Sequence, residues 1–436
     1  MLSARSSLTV PFAALAVLAA VLLTGCGGGG VSDGTDPPDL PPLSELRSNK
    51  QRISAPVVSN EDAATFAHDN LAFAVDMYHS LRSEKPGNFI YSQASISTAL
   101  AMLYAGAATT TAEQMADTLH FTLPGPRLHA AFNALDLALT PANGNSSAFR
   151  LEFANSVWIQ KDFPVLPSYL DTLAENYGAG MYAEDFMGAP DAARGKINQW
   201  VAASTENQIP SLFPQGSINT DTRLVLANAV YFHGDWKTPF LKDSPNQVFH
   251  ALTGDVTVPT MHGVGNASLW NGPGWNAAEI EYVGDTTSMI IVVPDAGTFT
   301  AFEAGLSTES LETIFAGATP GGGADLFLPR FKFATDVMLN PTLSALGMPV
   351  AFTDAADFSG INGARTLSIQ AVVHKALISV DEKGTTASAA TGASTGVTSA
   401  PPTLVVDRPF LFFIRHNPTG AILFQGRVVD PSQQNQ

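Results

Sequence analysis

From Gly384 to Ala400 the chain reads Gly-Thr-Thr-Ala-Ser-Ala-Ala-Thr-Gly-Ala-Ser-Thr-Gly-Val-Thr-Ser-Ala, where every residue is small or β-branched and none is charged. Before it, Ala371 to Val380 alternates like a strand. After it come Pro401-Pro402 and a dense apolar run from Phe410 to Phe424. Irregular connections longer than about 12–15 residues inside a compact domain are either functional or linkers. The fold must therefore accommodate a long, featureless segment between two core strands.

The chain has 436 residues, of which 45% are hydrophobic and 14% charged, the balance of a folded protein with a large core. Its formal net charge of −17 argues against nucleic acid, heparin-like polyanions and anionic lipid headgroups as partners, because each requires a basic patch. Acidity favours solubility and specifies nothing more.

Cys26 is the only cysteine, so no intramolecular disulfide is possible. Arg5 precedes an apolar stretch from Leu8 to Leu23 that ends in Leu23-Thr24-Gly25-Cys26. The stretch is shorter than the roughly 20 residues that span a bilayer and reads as a secretory signal, residues 1–25. Small residues before Cys26 look like a bacterial lipobox, which would make Cys26 a lipidated N-terminus; a plain signal peptide with an incidental cysteine is the alternative. Residues 26–58, rich in Gly, Pro and Asp, read as a flexible tether reaching roughly 30 Å. A folded domain over 59–436 follows.

Ser59 is a suitable helix N-cap, with Glu61 and Asp62 in the first turn, and Phe66, Phe73, Met77 and Leu81 form a helical stripe. Asn88 to Gly106 reads as a short strand that turns at Ser92 into a buried helix stopped by Gly106. Further strands are expected over Leu151 to Gln160, Leu224 to Trp236, Met289 to Val293, Asp325 to Phe333 and Leu367 to Val380. Helices are expected over Asp171 to Tyr177, around Ile197 to Trp200, and over Pro341 to Leu346. Strands and helices mix without regular βαβ alternation, so the fold class is α+β. No internal repeat or composition break divides Ser59 from Glu382.

Two patterns could carry chemistry. His374 shares a strand face with Val372, Ala376, Ile378 and Val380 and reads as a buried, hydrogen-bonded core residue. No ligand spacing such as HExxH or paired CxxC occurs, so no metal site and no cofactor are expected. Gly392-Ala-Ser394-Thr-Gly396 matches G-x-S-x-G, and Asp407 and His416 follow in hydrolase order. A nucleophile elbow needs a buried strand before the serine and a helix after it. Both flanks here are Gly, Ala, Ser and Thr, so a serine hydrolase using Ser394 is only a remote reading.

From about Ser59 to Pro431 the chain resembles the serpin family. The resemblance rests on Asn88 to Met115, Asn228-Ala-Val-Tyr-Phe-His-Gly-Asp-Trp236, Val258-Pro-Thr-Met-His262, Leu346-Gly-Met348 with Ala356-Asp-Phe-Ser-Gly360, and Val373-His-Lys-Ala376. The segment Asp407-Arg-Pro-Phe-Leu-Phe-Phe-Ile-Arg-His-Asn-Pro-Thr-Gly-Ala-Ile-Leu-Phe-Gln-Gly-Arg427 is among the most specific.

The resemblance implies one large domain of three sheets and eight or nine helices, with a reactive-centre loop at about 382–402 that a target protease attacks as bait. Val380 to Thr391 matches the hinge of inhibitory members: Glu382, Gly384, Thr385, Thr386, Ala387, Ser388, Ala389, Ala390 and Thr391. Register from both ends places the bait bond at Thr398–Ser399, with Val397 as the alternative specificity residue if the register slips by one. After cleavage the segment from Gly384 inserts into the large sheet as a new strand. Thr385, Ala387, Ala389 and Thr391 then enter a closed core, where an unpaired charge would cost several kcal/mol and a proline would break the ladder. About 14 new backbone positions at roughly 0.5–1.5 kcal/mol per hydrogen bond supply on the order of ten kcal/mol. Sixteen residues at about 3.3 Å each would carry an acyl-linked protease roughly 50 Å.

Ser92, Ser95, Asn228 and His374 match the family's shutter beneath the sheet, Trp236 the breach where insertion begins, and Arg330 with Glu382 an ion pair pinning the hinge. Gln93 stands where the family usually has proline. Thr398 suits an elastase-like or subtilisin-like serine protease, since a trypsin-like enzyme would require Lys or Arg over its buried carboxylate. A papain-like cysteine protease reading Val397 as the second residue is a further possible partner. The resemblance also implies a monomer whose membrane contact is limited to a lipidated N-terminus. A non-inhibitory member acting as a scaffold or simple substrate is the main rival; its usual mark is charge, proline or bulk in the hinge, which this chain lacks.

Overall fold

The computed structural model describes residues 43–140, 148–318, 322–385 and 401–434. The chain divides into two units, Met1–Pro38 and Asp39–Gln436, and the second contains all the elements below. Cys26, the signal segment, Thr386 to Thr391, Ser394 and Val397 to Ser399 lie outside the described residues.

In chain order the elements are β1 (Ser44–Leu46), α1 (Asn60–Glu84), β2 (Phe89–Tyr91), α2 (Gln93–Tyr104), α3 (Thr109–Leu119), α4 (Gly125–Leu139), β3 (Phe149–Gln160), α5 (Pro167–Tyr177), β4 (Met181–Glu184), α6 (Pro190–Ser204) and β5 (Leu224–Asp235). There follow β6 (Asn246–Ala251), β7 (Gly254–Gly272), β8 (Trp275–Glu281), β9 (Thr287–Pro294), α7 (Phe299–Ala304), α8 (Thr308–Ala316), β10 (Ala324–Pro329), β11 (Phe331–Met338), α9 (Leu339–Leu346) and α10 (Ser359–Asn362). The last are β12 (Ala371–Val380), β13 (Gly384–Thr385), β14 (Thr403–Val405), β15 (Phe410–His416) and β16 (Ile422–Val428). This is a mixed α+β fold with ten α-helical segments among the described residues, two of them only six and four residues long.

The large sheet has seven strands in the order β1-β4-β3-β5-β13-β12-β11. A second path runs β14-β10-β7-β8-β9-β15-β16-β2, with β6 paired to β7. Strand β7 is 19 residues long and serves two groups: its first part pairs with β6 and β10, its last part with β8. The three expected sheets thus emerge as one sheet plus two that share a strand. The buried sequence Phe-Leu-Phe-Phe-Ile of β15 packs on both faces, Leu411 and Phe413 toward the helices and Phe410, Phe412 and Ile414 toward the large sheet.

Local signals account for the element ends. Ser59 caps α1, its hydroxyl accepting from the Asp62 amide at 3.0 Å. Ser92 caps α2 in the same way from Ser95. Gln93 takes the first helical position, where proline would be tolerated for want of a helical partner, and its amide donates to Asn70 Oδ1 at 2.7 Å. The turn therefore forms without proline.

Two expectations change. Asp325 to Phe333, read as one strand, is two: β10 pairs with β7 and β14, β11 pairs with β12, and the chain crosses between sheets at Arg330. The cause is a parity shift, since Leu326 and Leu328 face inward on even positions and Phe331 and Phe333 on odd ones. Residues 43–53, expected to be tether, lie along the domain. Ser44 to Leu46 add an antiparallel strand beside β4. Arg52 Nε donates to Asn133 Oδ1 at 2.9 Å, Arg52 Nη2 lies 2.6 Å from Asp136, and the Ile53 amide donates to the Glu175 carbonyl.

Arg52→Ala should therefore lower stability by about 1 kcal/mol, a typical net value for one hydrogen bond plus a half-exposed ion pair. A shift of the urea midpoint with unchanged slope is the expected readout.

Candidate functional site

Strands β5 and β12 run parallel and pair directly over six residues, from Ala371↔Val225 to Ala376↔Val230. Beyond that they diverge, and β13 lies between them: Thr385 pairs with Val380 on one side and Gly234 on the other, and Gly384 pairs with Asp235. The slot is closed at one end and already entered at the other. A two-residue strand thus lies between two longer strands of one sheet at one end only.

At the closed end Ser92, Ser95, Asn228 and His374, the residues matched to the shutter, meet. The Ser92 amide donates to His374 Nε2 at 3.1 Å, so the ring proton is on Nδ1, which donates to Asn228 Oδ1. Asn228 Nδ2 in turn donates to Ser95 Oγ at 2.8 Å and to Asn155 Oδ1 at 2.6 Å, and Ser95 Oγ donates to Asn155 Oδ1 at 2.9 Å. In register, Asn155, Asn228 and His374 lie side by side across β3, β5 and β12. One hydrogen-bond chain therefore ties three strands to the start of α2. Asn155 was not among the residues singled out in the sequence; its place opposite Asn228 follows only from the β3–β5 register.

At the open end, Arg330 pairs with Glu382. Its Nε donates to Glu382 Oε1 at 2.7 Å, its Nη2 reaches the same oxygen, and so does the Ser244 hydroxyl. The Glu382 side chain is 13% exposed and that of Arg330 42%. Trp236 binds the turn before β13 twice: its backbone amide donates to the Lys383 carbonyl at 2.6 Å, and its indole N–H donates to the Asp381 carbonyl at 2.9 Å. Phe240 N adds a bond to the Glu382 carbonyl at 2.8 Å. Only glycine fits at 384, where a Cβ would lie 2.1 Å from the Gly234 carbonyl oxygen. Past the loop, β14 pairs in parallel with β10 at the edge of the second sheet. Residues 385 and 403 are thus anchored in different sheets.

Asp407 lies three residues before β15 and His416 is the last residue of that strand, so the two do not converge. The Asp407 carboxylate accepts from Arg408 Nε, and His416 Nδ1 pairs with the Thr419 hydroxyl at 2.8 Å. A seven-residue strand separates them by roughly 20 Å, too far for a hydrolase triad.

Burial holds His374 neutral, its pKa lowered to about 3, and burial lowers that of His129 to about 4. An unfolded histidine titrates near 6.5. Between pH 6.5 and these values the unfolded chain binds more protons, so stability is complete above about 6.5 and declines as pH falls, by up to about 1.4 kcal/mol per pH unit for each group. Chemical denaturation from pH 7.5 to 5 should show that slope, and His374→Gln should remove about one proton of it while lowering stability at pH 7.5 by about 1–3 kcal/mol.

Residues 68–431 match the family model described as Serpin (serine protease inhibitor). The chain is 36% identical to the leukocyte elastase inhibitor of Bos taurus, over 83% of this chain and 98% of that protein. It is 36% identical to an uncharacterised serpin-like protein of Thermococcus kodakarensis, over 83% and 84%. Among solved structures, the thermophilic serpin tengpin in its native state superposes with a TM-score of 0.78 at 25% identity, covering 89% of this chain and 99% of that one. This chain belongs to the serpin family.

Proposed function

We propose that the protein is an inhibitor of serine proteases that acts as a suicide substrate. The target cuts Thr398–Ser399, and the loop behind the cut inserts between β5 and β12 and carries the acylated protease across the sheet. The observation that carries this reading is β13: the first hinge residues already lie in the slot, uncharged, with Thr385 1% exposed. The residues that would follow, Thr386 to Thr391, include no charge, no proline and no bulky group, so nothing in them opposes burial.

Thr398 at the bait position fits a shallow, uncharged specificity pocket of elastase-like or subtilisin-like type, and the named elastase inhibitors among the relatives agree with that class. The chain acts as a monomer and needs no cofactor, because the protease supplies the nucleophile and the sheet supplies the driving force. A papain-like cysteine protease reading Val397 is the secondary target class. Lipid attachment at Cys26 would hold this inhibitor at the cell envelope, guarding its surface; Cys26→Ala should then move the protein from the membrane to the soluble fraction.

The test is incubation with a panel of serine and cysteine proteases. A covalent complex stable in SDS, a cut between 397 and 399 by mass spectrometry, and a rise in melting temperature on cleavage are expected. Thr385→Arg should abolish the complex while leaving cleavage intact, since it sets a charge in the closed slot. Absence of any complex, together with an unchanged melting temperature after cleavage, would overturn inhibition in favour of a scaffold or simple substrate.

A further inference from the structure

The slot entrance contains a contact that none of the hinge residues explains. Tyr282, just beyond the end of β8, is fully buried, and its phenolic oxygen lies 2.9 Å from Thr385 Oγ1, the first hinge side chain inside the sheet. Tyr282 follows directly on a strand of the second sheet, yet its hydroxyl reaches a side chain of the first.

Its orientation is set on every side. The ring stacks on Trp236 with centroids 4.5 Å apart and planes 16° from parallel, and Phe232 meets it edge-on at 5.1 Å. Its backbone forms an isolated bridge to Trp236, and its amide donates to the Thr287 carbonyl. Gly234 makes room for it, since a Cβ there would sit 2.7 Å from the Tyr282 ring. Gly234 is also the register partner of Thr385. Burial pushes the phenol up, so the hydroxyl keeps its proton and the pair always has one donor.

We infer that Tyr282 is a positioning residue that latches Thr385 at the mouth of the slot, so that the nucleus of the inserting strand exists before the protease cuts. Three backbone and indole contacts from Trp236 and Phe240 fix the turn at 381–384, but each acts on main-chain atoms and would tolerate many side chains. The Tyr282 hydroxyl reads the side chain at 385 itself. It selects a hydroxyl in that position over the apolar residue that burial alone would favour, because a buried phenol deprived of its partner is destabilising. A pre-formed nucleus spares the cleaved loop the ordering of its first residues, which shortens the interval in which the acyl-enzyme can hydrolyse and escape. The inference rests on the inhibitory reading for its consequence, but not for its geometry.

Tyr282→Phe keeps the ring, the stack and the fold and removes only the oxygen. Hydrogen exchange read by mass spectrometry should show the hinge peptide across 381–385 exchanging roughly 2- to 12-fold faster, the factor that one hydrogen bond of ordinary net strength represents, with the rest of the sheet unchanged. Thr385→Val should produce the same acceleration, and the double variant should be no faster than either single one. With a trapped protease, Tyr282→Phe should raise the number of inhibitor molecules consumed per complex while leaving the rate of initial attack unaltered. Hinge exchange equal to wild type, or two substitutions whose effects multiply, would overturn the latch. If the wild-type protein traps no protease, the inhibitory reading fails and the exchange measurement still decides the latch.

Discussion

Parallel pairing of β5 with β12 is the contact that the rest of the molecule is arranged to keep and to lose. Six register pairs join them; β5 is buried on both faces over residues 224–232, and β12 over 371–374, beyond which Lys375, Leu377 and Ser379 are only half-buried. Inserting a strand there replaces one interface with two, so the sheet gains hydrogen bonds by being opened. Such an arrangement is metastable only while something delays the opening. On the inhibitory reading the delay would have two components at opposite ends of one slot, and they are chemically unlike.

At the closed end the delay is a chain of neutral hydrogen bonds through Ser92, His374, Asn228, Asn155 and Ser95. Each member is buried or nearly so, and an orphaned polar group there is more destabilising than the bond is stabilising. The network must therefore break as a unit or exchange partners as a unit. At the open end the chain enters the slot through a turn held by Trp236, Phe240, Arg330 and Ser244, and the only residue fitting between the backbones is Gly384.

Much of this was legible in the sequence because it is local or periodic. Ser59 and Ser92 announce helix starts by residue type, and β5 announces a strand by its unbroken apolar run. The crossing between sheets at Arg330 was not legible, although the switch of inward positions from Leu326 and Leu328 to Phe331 and Phe333 carried the information. Asn155 and Tyr282 were not legible. Their roles come from register between strands more than 70 and 100 residues apart in sequence, and polar or aromatic residues on buried strands look alike until the pairing is known. The strand Ser44 to Leu46 was hidden for another reason: three residues without alternation become a strand only because the β4 edge offers them bonds.

The two ends of the slot also respond to different solution conditions. Arg330 is 42% exposed in its pair with Glu382, so the hinge contact is open to screening by salt, whose reach at 0.15 M is about 8 Å. The shutter contains no charge to screen; its sensitivity is to protons, because the fold denies His374 the charged form and the unfolded chain does not. Salt therefore weakens the contact at the end where β13 lies, while acid lowers the stability of the whole fold through the unfolded histidine. On the inhibitory reading, the loop would run the full length of the slot only when both ends yield, and the neutral network around His374, which has no charge for salt to screen, would be what makes the uncleaved form last.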